Sequence, residues 1–87
     1  MINKGSYTLP DSQSLVLSVL NGEPGKRYTE SDKQAFRVSL TRLHENGQYM
    51  CFSKKQDKWI IGSKNRDILA KQIGQRDEIV NSIFERI

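Results

Sequence analysis

Chemistry-bearing residues are scarce in this chain of 87 residues, which has one cysteine, one histidine, two prolines and one tryptophan. A lone Cys51 cannot close an internal disulfide, so no disulfide framework holds the fold, and a reducing compartment is expected. Neither Cys51 nor His44 has a second ligand at metal-binding spacing, which leaves no metal site to expect. His44 also lacks a nucleophile or carboxylate at a diagnostic distance along the chain, and no glycine-rich phosphate loop is present. The sequence is therefore not read as an enzyme, and no cofactor is expected. Long apolar runs are missing as well. The longest, Leu15 to Leu20, is interrupted by Ser18 and falls far short of the roughly 20 residues that span a bilayer. Polar residues Asp11 to Ser14 separate it from Lys4, which argues against a signal peptide. A soluble, cytoplasmic protein without a membrane partner is expected.

What is present suits one small domain. Hydrophobic residues make up 36% of the chain and charged ones 28%, so any core is small for its surface. Fourteen Lys and Arg outweigh ten Asp and Glu, for a net charge of +4, and the surplus is local. The segment Lys26 to Lys58 carries net +4, whereas Met1 to Gly25 sums to −1 and Trp59 to Ile87 to +1. A concentrated positive field favours polyanionic partners.

Residues 1–7 read as a loose, flexible arm or a short edge strand. Thr8 is placed as a helix cap, with Asp11 three residues on and Pro10 in the first turn, and Leu15, Val16, Val19 and Leu20 supply a helical stripe that ends at Asn21-Gly22. The first helix is expected from Pro10 to Leu20. Glu23-Pro24-Gly25 marks a turn. Thr29 then caps a second tract, in which Phe36, Leu40 and Leu43 recur at i, i+4 and i+7 before Asn46-Gly47. That tract has room for one long helix or for two short ones. Gln48 to Ser53 and Trp59 to Ile61 are β-favouring runs around the polar Lys54 to Lys58, the pattern of a hairpin that must pack on the helices to be stable. Lys64 to Ile87 is helical in character, with Leu69, Ile73, Val80, Ile83 and Ile87 on a seam broadened by Ile68, Ile79 and Phe84. Gly74 costs a helix about 1 kcal/mol relative to Ala, so a kink or a split into two helices also fits.

The stretches TLPDSQSLVLSVLNGEPGKRYTESD and AFRVSLTRLHENGQYMCFSKKQDKWIIGS resemble the start and the core of a winged helix-turn-helix domain. The sharper half is FRVSLTRLHENG, a candidate recognition helix that runs straight into a hairpin. The resemblance covers roughly Thr8 to Ser63 and implies an α+β fold: a small winged helix-turn-helix domain over residues 8–63, with a two-stranded wing, followed by a long C-terminal helix over residues 64–87. The family normally places a separate short helix before the recognition helix, and here only Thr29 to about Lys33 is available for it.

A helical wheel centred on Phe36 turns Gln34, Arg37, Val38, Thr41 and Arg42 outward, and no acidic residue occurs from Lys33 through His44. Such a face suits the major groove: Arg bonds guanine, Gln bonds adenine, and Val38 can meet a thymine methyl. An ordinary solvated helix face is the plainer alternative. In the winged-helix reading Lys54, Lys55 and Lys58 touch phosphates from the wing, Thr29, Ser31 and Lys33 position the helix, and Lys26 and Arg27 add charge before it. Lysines at a hairpin tip also serve solubility and edge protection. Trp59, Tyr49 and Phe52 are expected mainly in the core, although aromatics beside lysines can stack nucleobases, and Tyr28 in its basic loop has the same weaker option. His44, near a helix C-terminus, reads as a cation complementing the helix dipole, and Cys51 as a small strand hydrophobe.

The width of the C-terminal stripe suggests a homodimer through Leu69, Ile73, Val80, Ile83, Phe84 and Ile87, with folding back onto the domain as the alternative. The function expected is a sequence-specific double-stranded DNA-binding protein, a small repressor-like transcriptional regulator that acts as a homodimer. The rivals are a protein-interaction module of the same fold, such as an inhibitor or adaptor, and an RNA-binding module.

Overall fold

A computed structural model of the chain describes residues 8–22 and 26–85. The arm at residues 1–7, the Glu23-Pro24-Gly25 turn and Ile87 lie outside the described residues. Four helices and one antiparallel hairpin follow in the order α1 (Leu9–Leu20), α2 (Glu30–Glu45), β1 (Tyr49–Ser53), β2 (Lys58–Gly62), α3 (Arg66–Gly74) and α4 (Arg76–Glu85), a small α+β domain.

Helix starts follow local chemistry. The Thr8 hydroxyl accepts the Asp11 amide at 3.2 Å, and proline occupies the first turn of α1, where no intrahelical donor is needed. Thr29 and Asp32 close a full capping box on α2: the Asp32 amide donates to Thr29 Oγ1 at 3.2 Å, and the Thr29 amide donates to Asp32 Oδ2 at 2.8 Å. With both free amides satisfied, residues 30–45 form one uninterrupted helix, which decides between the two arrangements the sequence allowed.

The C-terminal segment is not one long helix. It breaks at Gln75, directly after the helix-weakening Gly74, into α3 and α4. The break serves packing. Val80 of α4 is fully buried with Val16, Val19, Phe36, Leu40, Leu43 and Met50, while Ile79, Ile83 and Phe84 pack around them. At the same time α3 runs beside β1. One straight rod from residue 66 to 85 would have to give up one of these two neighbours.

The hairpin pairs Tyr49 with Gly62, Met50 with Ile61, Cys51 with Ile60, Phe52 with Trp59 and Ser53 with Lys58. Alternation puts Met50, Ile61, Phe52 and Trp59 on the face turned toward the helices. Tyr49 crosses over Gly62 so closely that a Cβ there would lie 2.4 Å from the ring. The Tyr49 hydroxyl accepts the Lys64 and Asn65 amides at 3.2 and 2.9 Å, and Asn65 Oδ1 then accepts the Asp67 and Ile68 amides to start α3.

Two side-chain amides hold the hairpin by its outer backbone edges. Asn21, the residue that ends α1, donates Nδ2–H to the Trp59 carbonyl at 3.0 Å and accepts the Trp59 amide at 2.8 Å. Gln72 of α3 does the same on the other strand, donating to the Met50 carbonyl at 2.8 Å and accepting the Met50 amide at 3.1 Å. Each carboxamide completes the backbone pairing that a third strand would otherwise supply.

Candidate nucleic-acid interface

Helix α2 buries Phe36, Ser39, Leu40, Leu43 and His44 and turns the opposite side to solvent. Gln34 and Val38 stand on that side, Val38 at 44% exposure, while Lys33, Thr41 and Arg42 are half-buried at its margins. The five expected contact residues of α2 do not behave alike. Thr41 donates its hydroxyl to the Arg37 carbonyl at 2.9 Å, which leaves only its oxygen lone pairs and methyl for a ligand. Arg37 leans toward α4, where its guanidinium is ion-paired and hydrogen-bonded with Asp77. Arg42 makes no side-chain ion pair among the described residues.

Positive charge continues on both sides of α2. Lys26 and Arg27 are exposed ahead of it, with Lys26 Nζ 5.5 Å from the centre of the Tyr28 ring. That ring meets Phe84 edge-on at 5.6 Å, and Phe84 meets Phe36 in turn at 5.5 Å. Tyr28 is thus tied to the core through α4, which assigns it packing first and anchors the basic approach to α2. Beyond α2, Lys54, Lys55 and Lys58 are all exposed, at and beside a tip where Asp57 takes a left-handed conformation with φ 54°. That conformation is uncommon for a side chain other than glycine, although Asp tolerates it.

The aromatics expected in the core divide. Tyr49 is buried and Trp59 half-buried, whereas Phe52 is 45% exposed and meets Trp59 edge-on at 5.5 Å. Phe52 has the right strand parity for the core, but core contact along β1 reaches only Met50. Beside Trp59, a groove of about 370 Å³ separates the hairpin from α4, bounded also by Met50, Ile79, Ile83 and Glu78.

His44 departs from the reading as a dipole-complementing cation. It is buried, and burial is the main cause holding its pKa below the usual 6.5; the nearby Arg76 charge lowers it too, while the hydrogen bond to Gln72 works the other way. Arg76 Nε–H donates to Nδ1 at 3.0 Å, and arginine can only donate, so the ring proton sits on Nε2, 3.2 Å from Gln72 Oε1. The imidazole is neutral and joins α4 to the Gln72 clamp on β1. Cys51 is a half-buried free thiol, and no group of three or more His, Cys, Asp or Glu able to hold a metal occurs among the described residues. Nor is any helix among them long and apolar enough to cross a membrane.

The expected dimer residues also separate. Val80 is enclosed by the domain's own core, and Ile83 and Phe84 pack against it, so most of the α4 stripe is spent within the chain. Leu69 is half-buried, whereas Ile73 and its neighbour Ile68 on α3 face solvent at 46% and 37% exposure. Sequence reasoning gave no site role to Asp77, Gln72 and Arg76 and read Asn21 only as a helix end; the partners of these polar residues lie 22 to 40 positions away. Comparison of the chain with protein-family models, with curated proteins and with solved structures gives no match.

Proposed function

We propose that the protein binds double-stranded DNA sequence-specifically, as a winged helix-turn-helix domain that inserts α2 into the major groove and rests its hairpin on the flanking backbone. One observation carries the reading. A single 16-residue helix presents Gln34, Val38 and Thr41 between Arg37 and Arg42, with no acidic side chain from Lys33 to His44, and leads directly into a lysine-tipped hairpin. Gln34 and Arg42 are the base-reading candidates, Val38 supplies an apolar contact for a thymine methyl, and Lys54, Lys55 and Lys58 contribute salt-sensitive phosphate contacts. No helix intervenes between α1 and α2 among the described residues 21–22 and 26–29, where winged domains usually carry an extra one. A repressor-like regulator acting as a homodimer fits this scheme, with Ile68 and Ile73 of α3 as the apolar side chains available for pairing. Two copies would read half-sites about 34–36 Å apart.

Fluorescence anisotropy with a randomised duplex pool, followed by selection, tests the reading. Specific binding should weaken steeply with salt, and Arg42→Ala should cost specific more than nonspecific affinity. Absence of any duplex preference at low salt would reject it. The rival, a protein-interaction module, is favoured by the occupation of Arg37 by Asp77 and by the exposed Ile68 and Ile73. An indifferent response to DNA, together with partner capture abolished by Ile73→Lys, would select that reading.

A further inference from the structure

We infer that the hairpin is a platform for unpaired nucleobases, with the Phe52 ring as its stacking surface and Lys54, Lys55 and Lys58 holding the phosphates. This surface is separate from the outward side of α2, although it shares the lysines with the duplex reading. Phe52 sits with almost half of its surface in solvent and is the most exposed aromatic ring among the described residues. Its edge-on contact with Trp59 across the strands holds it from one side. Three exposed lysines follow within six residues, against one acid, Asp57.

An exposed ring on a strand that runs into a lysine-bearing turn supplies both parts of single-strand recognition. Bases without partners offer their faces to an aromatic ring, and the backbone that carries them supplies charge for the ammonium groups. A duplex keeps its base faces stacked inside, so it could use the lysines but not the ring. Both single-stranded DNA and single-stranded RNA present this chemistry, and separate arms of one experiment distinguish them.

The chain has a single tryptophan, and Trp59 touches Phe52, so intrinsic fluorescence reports directly on the platform. Titration of the full chain with oligothymidylate and, separately, oligouridylate should quench Trp59 at low salt, the stronger response identifying the preferred strand. Stacking energies predict that Phe52→Leu weakens binding roughly 5- to 150-fold, while Phe52→Tyr, which keeps the ring, binds like the parent. Because Phe52 is exposed, both variants should keep the parent's far-ultraviolet circular dichroism, which verifies folding. Lys54→Gln with Lys55→Gln should flatten the salt dependence. Binding unaffected by Phe52→Leu, or no binding to either oligonucleotide, overturns the proposal. Arg42→Ala provides the separation from the duplex reading: it should reduce specific duplex binding and leave oligothymidylate binding within twofold, so either activity can fail without the other.

Discussion

Arg37 of α2 is ion-paired with Asp77 in the first turn of α4, linking the helix proposed to read DNA to the helix that closes the core. The Arg37 side chain is 30% exposed and that of Asp77 75%, so the pair lies open to solvent on the Asp77 side. Exposed pairs of this kind are worth less than about 1 kcal/mol to stability. In the proposed duplex complex the pair also competes with the ligand, because the carboxylate occupies the cation that a phosphate or guanine would need. Asp77→Asn is therefore expected to tighten duplex binding several-fold and lower the melting temperature only slightly. Anisotropy and thermal melting check this, and weaker binding in the variant would instead make Asp77 a positioning partner for Arg37.

The two amide clamps predict unequal losses. Gln72 serves the buried Met50 and the buried His44, so Gln72→Leu strands three polar groups out of reach of much of the solvent, at a cost of about 2–3 kcal/mol. Asn21 is exposed, and water can replace it at Trp59, so Asn21→Leu should cost less than about 1 kcal/mol. Urea unfolding ranks the two. Hydrogen exchange adds a local readout, since the Met50 amide should lose protection in the first variant and the Trp59 amide in the second.

His44 sets a pH dependence whose sign follows from its lowered pKa. Below about 6.5 the unfolded chain binds the imidazole proton more readily than the folded one. The stability associated with neutral His44 is therefore fully present above about 6.5 and is lost as pH falls from there through the folded pKa. A proton on Nδ1 would face the Arg76 donor and remove its acceptor, and Gln72 is the other polar partner of the ring. The slope should not exceed about 1.4 kcal/mol per pH unit. This is the only histidine, so chemical denaturation between pH 7.5 and 5 isolates it, and His44→Gln should flatten the profile.

Gly62 is predicted to be intolerant of even one added carbon. A Cβ there would lie 2.4 Å from Tyr49 Cε1, so Gly62→Ala must displace the ring and with it the hydroxyl that accepts two amides ahead of α3. A loss of about 2 kcal/mol or more is expected by urea unfolding. Tyr49→Phe removes only the acceptor and should cost about 1 kcal/mol. In a Tyr49→Leu background the Gly62→Ala penalty should shrink, which a double-mutant cycle detects.

Much of this architecture could be read from local chemistry. Thr8 and Thr29 announce helix starts because a cap is satisfied within three residues, and the hairpin follows from two β-rich runs around Lys54 to Lys58. The buried side of α2 followed from the spacing of Phe36, Leu40 and Leu43. The misses arise where a polar residue finds its partner across the fold. Nothing near Gln72 in the chain indicates that it binds the backbone of Met50, and nothing near Arg37 points to Asp77. Phe52 shows the limit of alternation, which assigns a face but not how far along the strand the core extends. The divided C-terminal segment had a visible cue in Gly74, but only the competing demands of Val80 and Gln72 make two helices necessary. Val80, Ile83 and Phe84 read as a dimer seam because periodicity marks an apolar face without identifying its partner.

The paired amides on the hairpin also bear on how copies of the chain can meet. A lone hairpin has two unpaired backbone edges, the usual template for strand addition by a neighbouring molecule. Here Gln72 occupies the β1 edge at Met50 and Asn21 the β2 edge at Trp59. An incoming strand must evict one of them before it can pair in register, and at Met50 eviction also undoes the contact between Gln72 and His44. The sheet is thereby guarded against strand addition at these two positions, which leaves the proposed pairing of copies to exposed side chains such as Ile68 and Ile73 of α3.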